Sequence, residues 1–211
     1  MAPTDRPIPR FLAEPPRESV PGGAWAEQLG ARFLEACREI DAEDDIGEVG
    51  EVEWYPDRTF GGRTYVPATA PTSEGFEVYG FVSFAREHEG AEARDLQAAA
   101  DYTAETAAEN PDWTLDLSDH EISPWRGPRG RGLALTLVWG EALVPQGAMA
   151  TAELGSTTTD QCAVVDERFS LVTLDAYLDD LLEVRLWSAT GSELAAESLF
   201  EEDEAEDEDA P

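Results

Sequence analysis

Three arginines stand close together in a chain that is otherwise strongly acidic. Arg126, Arg129 and Arg131 lie within the stretch PWRGPRGRG, in a sequence whose formal net charge is -32. Guanidinium groups and loop N–H groups bind phosphates and carboxylates, so this cluster could form an anion site. The plainer alternative is that the arginines pair with some of the many carboxylates on a loop rich in proline and glycine.

A second candidate site combines aromatic and cationic side chains around a glycine pair. The stretch EWYPDRTFGGRTYVP, residues 53–67, predicts a hairpin that turns at Gly61–Gly62. Aromatic residues interleaved with arginine are typical of interaction hot spots, although the same aromatics could instead face the core. If the chain has a binding face, we expect it on these side chains: Trp54, Tyr55, Arg58, Phe60, Arg63 and Tyr65.

The chain could also use the thiol of Cys162 as a nucleophile. Cys162 begins an Ala-Val-Val run, which favours packing in the core over catalysis. The two histidines that could activate its thiol, His88 and His120, lie in polar stretches that predict surface turns. Their spacing is not that of a zinc site.

Carboxylates are so numerous that their spacing carries little information. Two pairs could serve a glycosidase-type hydrolase as acid and base, Asp116 with Asp119 or Glu51 with Glu53. Three aspartates in the stretch LDAYLDD are weak candidates for calcium ligands, because hard oxygen ligands could converge there from a turn. They are Asp175, Asp179 and Asp180, and an ordinary solvated turn is the alternative.

Composition excludes several chemistries and constrains the partner. All 14 basic residues are arginine, so a Schiff-base cofactor, a Walker A phosphate loop and a lysine amine are excluded, and no cofactor is predicted. Residues 201–209 hold eight carboxylates, and the rest of the chain still has 38 against 14 arginines. This charge disfavours nucleic acid and anionic membranes and indicates a basic protein partner.

Hydrophobic periodicity predicts one helix followed by many short strands. Apolar residues recur every three or four positions from Ala24 to Asp41, as in an amphipathic helix. After Gly50 the period changes to two, which predicts about eight to ten antiparallel strands. The segment from Asp95 to Trp113 fits an alanine-rich helix or a strand followed by a short helix that ends before Pro111, and alternation favours the second. The predicted fold is α+β, mainly antiparallel β in a sandwich or barrel, with the N-terminal helix packed on the sheet.

The chain divides into three parts by composition. We expect a proline-rich extended arm over residues 1–21, where Phe11 and Leu12 could dock, one β-rich domain over 22–200, and a disordered acidic tail over 201–211. The sequence lacks an apolar run typical of a signal peptide or a spanning helix, and it has two distant cysteines, Cys37 and Cys162. These features predict a cytoplasmic protein with reduced thiols, and they leave the oligomeric state open.

Taken together, these features favour a non-catalytic acidic binding or adaptor domain for a basic protein. No catalytic constellation stands out, and net charge selects partners by sign. The alternatives are a hydrolase that uses Cys162 or a carboxylate pair, a calcium-binding domain, and a nucleic-acid mimic. A mimic would need ordered rows of carboxylates, because duplex DNA carries one charge per about 1.7 Å.

Overall fold

The computed structural model places a helix on the outside of a set of antiparallel sheets. It describes residues 8–14, 19–43, 45–88 and 91–199, without the side chain of Arg129. The acidic tail predicted over 201–211 and part of the predicted arm lie outside the described residues. Within the described ranges, no helix is long and apolar enough to cross a membrane.

The helix, α1, covers Gly23–Cys37 and packs through one apolar face. Its buried side chains follow the predicted spacing: Leu29, Phe33 and Cys37. The prediction of a helix as far as Asp41 is too long. The N–H groups of Arg38 and Glu39 bond to carbonyls three residues back, and such tightened bonds close the last turn.

The helix packs on a five-stranded antiparallel sheet of the described residues, called here the helix-backed sheet. Its strands are β1 Glu53–Trp54, β2 Arg58–Phe60, β3 Arg63–Pro71, β4 Glu77–Ala85 and β5 Arg94–Thr103. Their order is β1-β3-β4-β5, and β2 also pairs with β3. Strand β5 confirms the predicted strand, whereas the short helix predicted before Pro111 is wrong, because residues 104–112 form bends and turns.

The other half of the described fold consists of two further antiparallel sheets, and the sheets include a half-barrel. Their strands are β6 Leu115–Arg126, β7 Gly132–Ala142, β8 Gly147–Leu154, β9 Thr157–Ala163, β10 Arg168–Leu174, β11 Ala176–Tyr177, β12 Asp180–Ser188 and β13 Glu193–Ser198. One sheet has the order β10-β7-β6, and the other has the order β11-β12-β8-β9, with β13 also beside β12. Strands β12 and β13 form a hairpin near the C-terminus.

The described apolar side chains form two cores, one on each face of the helix-backed sheet. Strand β3 contributes side chains to both cores, because Val66 and Ala68 belong to the core under α1 while Tyr65 belongs to the larger core between the sheets. The predicted α+β, mainly antiparallel fold is confirmed. Of the thirteen strands in the described ranges, ten have six residues or more, in line with the predicted number.

The described part of the N-terminal arm lies along the body. The N–H of Phe11 donates to the carbonyl of Thr159 in β9 at 2.6 Å, and the N–H of Glu14 donates to that of Thr59 in β2 at 2.8 Å. Leu12 packs against the larger core, whereas the ring of Phe11 is exposed. The arm therefore connects the helix-backed sheet with β9 of the other half.

Candidate functional site

The hairpin proposed as a binding face turns its aromatic side chains inward. Strands β2 and β3 form the predicted hairpin around Gly61–Gly62. Trp54, Tyr55 and Tyr65 are each at most 8% exposed and belong to the two cores. A partner needs accessible side chains, so these three aromatics follow the alternative in which they face the core and do not form a binding face.

The other residues of that hairpin also hold the fold together. Arg58 is 1% exposed and forms an ion pair with Asp160 of β9, which links the two halves of the molecule. Arg63 pairs with the carboxylate of Asp95. Phe60 is half-buried against the larger core. All three side chains are therefore engaged within the fold and do not form the predicted binding surface.

The arginine cluster lies on a shorter loop than predicted. Strand β6 extends to Arg126, since Pro124 is tolerated in an edge strand, and only the remainder of the predicted loop Pro124–Gly132 turns. Arg131 donates to the carbonyl of Leu178 at 2.6 Å and lies 3.7 Å from the carboxylate of Asp179. For Arg131, this is the pairing that the plainer alternative expects.

The three aspartates considered for calcium do not form a cage. The carboxylate of Asp175 accepts the N–H of Ala134 at 3.1 Å and that of Ala176 at 2.7 Å, so it fixes a turn. Asp179 is fully exposed near Arg131, and Asp180 lies against Gly155. Across the described residues, no group of three or more His, Cys, Asp or Glu side chains could hold a metal ion.

The candidate thiol and the two histidines lie in different environments. Cys162 is 3% exposed in the larger core, out of reach of a substrate. His88 is exposed in a bend after β4, as predicted. His120 is not in a surface turn: it lies in β6, its ring centroid is 5.0 Å from that of Phe81, and burial lowers its pKa.

A pair of adjoining pockets opens between the helix-backed sheet and strands β6 and β7. Their volumes are about 370 and about 140 Å³, and they share Glu77 and Asp116, so together they form what we call the acidic cleft. Aromatic walls come from Tyr55, Phe76, Tyr79 and Trp113. Six described carboxylates line it: Glu53, Glu77, Glu105, Asp116, Asp119 and Glu141.

Strand pairing explains why these carboxylates meet. Asp116 of β6 and Glu141 of β7 are register partners, so both side chains project from the same face. On the opposing sheet, Glu53 pairs with Thr69 of β3, and Glu77 begins β4. Like charges in such positions repel one another, so the cleft costs stability unless a cation compensates.

Burial and repulsion keep part of the cleft protonated near neutral pH. Burial first, and then the charges of Asp116, Glu53 and Glu141, raise the pKa of Glu77 to about 7. Burial also raises the pKa of Asp116 and of Glu141. A cation placed among these groups would favour their ionised forms and displace the proton from Glu77.

An arginine lies at the rim of the cleft. Arg168 of β10 forms an ion pair with Glu53, and its guanidinium carbon lies 5.5 Å from the centroid of the Tyr55 ring. It is also the register partner of Glu141. Its charge offsets one carboxylate, and among the residues that the structure describes the cleft remains net negative.

The carboxylate pairs predicted from the sequence supply part of the acidic cleft. Three residues from the predicted carboxylate pairs line it, whereas Glu51 is exposed and does not. The sequence did not single out the other three, Glu77, Glu105 and Glu141. Glu77 and Glu141 each lie near the end of an apolar strand, and an acidic residue in that position could have indicated where the core opens to solvent. Comparisons of the chain with protein-family models, with curated proteins and with solved structures find no match.

Proposed function

We propose that this chain is a non-catalytic binding domain for a basic protein, and that the acidic cleft receives an arginine or lysine side chain of that partner. The proposal is carried by the convergence of six described carboxylates on adjoining pockets. A concave site lined by charge of one sign concentrates the field and attracts the opposite charge. The net charge of -32 favours the same class of partner.

The size and lining of the cleft suit a long cationic side chain. Its larger pocket, at about 370 Å³, lies within the usual range of ligand pockets, roughly 300–1,000 Å³. Tyr79 offers an apolar and π surface to the stem and the charged head of such a side chain. The carboxylates accept charge-assisted hydrogen bonds, which arginine can make in pairs.

Binding of a labelled peptide tests the proposal. A short peptide rich in arginine and lysine is expected to raise the fluorescence anisotropy on binding, with an affinity that falls steeply as salt is added, because salt screens the attraction. A matched peptide with glutamine at every basic position is expected not to bind. Equal affinity of the two peptides would contradict the proposal.

A pair of variants separates the cleft from the overall charge. Glu77→Gln with Asp116→Asn removes two carboxylates of the cleft, and we expect at least about a tenfold loss of affinity. Glu27→Gln with Glu39→Gln changes the net charge equally at two exposed positions, one on α1 and one in the turn after it, and is the control. An equal loss in both variants would show that net charge, and not the cleft, determines binding.

One observation favours a second candidate, a hydrolase that uses a carboxylate pair. Glu77, with its pKa raised to about 7, could donate a proton to a leaving group while Asp116 acts as base or nucleophile, the division of roles found in glycosidases. A panel of chromogenic glycosides tests this. Turnover that is lost in Glu77→Gln would favour the hydrolase, and no turnover across the panel would favour the binding domain.

A further inference from the structure

Strand β5 forms an edge of the helix-backed sheet. It pairs with β4 on one side, and no other strand in the described ranges pairs with its second side. The strand is ten residues long. Unpaired N–H and C=O groups along such an edge are a template for another extended chain.

A hydrogen bond near the end of β5 shows which of its amides face outward. The N–H of Tyr102 donates to Oδ1 of Asp101 at 2.8 Å. The amide of Tyr102 therefore donates to a side chain of its own strand and not to a carbonyl of β4. Because backbone amides alternate in direction along a strand, Ala100 and Ala98 direct their N–H groups to the same open side.

The side chains along β5 leave room for a basic strand beside its open edge. Residues 98–100 are three partly exposed alanines, and β5 contains no proline that would block pairing. Asp101 is exposed and acidic, whereas the charge of Asp95 is already paired with that of Arg63. The carboxylates of Asp101 and of the acidic cleft beyond the end of β5 repel a second copy of this acidic chain and attract a basic strand, so charge complementarity selects the basic protein as the occupant.

The end of β5 leads to the acidic cleft. Thr103, its last residue, lines the smaller pocket together with Glu77 and Asp116, and residues 106–108 line the larger one. We propose that the basic partner adds an extended segment to the open edge of β5, and that an arginine or lysine at one end of this segment enters the acidic cleft. The inference rests on the proposed function and adds its mode of recognition.

Backbone methylation of the peptide tests strand addition without changing the protein. The probe is a labelled peptide that alternates lysine and valine, with two further versions N-methylated at either the odd or the even residues. In an added strand one of these sets donates to β5 and the other faces solvent. We expect one methylated peptide to lose at least about tenfold in affinity and the other to change about twofold at most, since each lost hydrogen bond weakens binding.

The outcomes distinguish this inference from the proposed function. Equal affinities of the two methylated peptides would overturn strand addition. The proposed function would still stand if the unmethylated peptide bound more weakly to Glu77→Gln with Asp116→Asn, and both would fail if it did not. Amide hydrogen exchange gives a second readout: the peptide should slow exchange at Ala98 and Ala100, and unchanged exchange at both would contradict the added strand.

Discussion

Replacing Glu77 with glutamine is expected to stabilise the protein at alkaline pH. In the folded chain the pKa of Glu77 is raised from 4.5 to about 7. Between these values the folded state holds a proton that the unfolded chain has released. The wild type therefore loses free energy of unfolding as the pH rises from 4.5 through about 7. A glutamine at this position does not ionise, so the variant does not undergo this loss.

The size of this effect follows from the two pKa values of Glu77. At about 1.4 kcal/mol for each pH unit between them, the loss in the wild type is about 3–4 kcal/mol at most. Glu77 is partly exposed, and solvent screening reduces the expected value to about 2 kcal/mol. The variant should therefore exceed the wild type in free energy of unfolding by about this amount at pH 8 and by much less at pH 5.

Urea unfolding followed by tryptophan fluorescence at pH 5 and pH 8 measures this difference. Glu51→Gln is the matched control, because Glu51 is exposed and does not line the acidic cleft. The control should show no comparable gain between the two pH values. A Glu77→Gln variant whose advantage is the same at pH 5 and pH 8 would refute the reasoning about the cleft.

Three further perturbations test the packing and the charge balance. Asp160→Ala strands the buried Arg58 guanidinium and should lower the free energy of unfolding in urea by about 3–5 kcal/mol; a loss below about 1 kcal/mol would contradict a buried ion pair. Gly140→Ala places a Cβ 2.3 Å from the carbonyl oxygen of Asp116, so thermal melting should occur several degrees lower, while Gly22→Ala, with nothing within 4 Å, should shift it far less. Raising salt to about 0.15 M should raise the melting temperature by screening surplus carboxylates, and a fall would show that specific ion pairs dominate.

The spacing of apolar residues was sufficient to predict the helix and the strands, but it did not predict which side chains are buried or where a strand lies in its sheet. The three- and four-residue spacing of Leu29, Phe33 and Cys37 predicts α1, and alternation predicts the strands. The same alternation does not show that β3 is covered on both faces, so Tyr65 was expected on a possible binding surface and lies in a core. Pro124 indicated a loop because a proline is excluded from central strands, whereas β6 is an edge.

The acidic cleft depends on contacts that sequence spacing does not reveal. Glu53, Glu77, Asp116 and Glu141 come from four strands, and their meeting is set by register and by the packing of one sheet on another. With 46 acidic residues in the chain, many other groupings are equally compatible with the sequence. Net charge predicts that a partner would be basic, and the folded arrangement is needed to choose the carboxylates that would bind it.

The most direct test of the central claim is the number of protons released when a basic peptide binds. Titration calorimetry at pH 7, in two buffers with different ionisation enthalpies, measures that number. A cation in the acidic cleft should drive Glu77 to its ionised form, and because its pKa is about 7, about half a proton should be released per peptide. The release should disappear in Glu77→Gln. Peptide binding without proton release, or release that persists in the variant, would contradict the assignment of the cleft as the binding site.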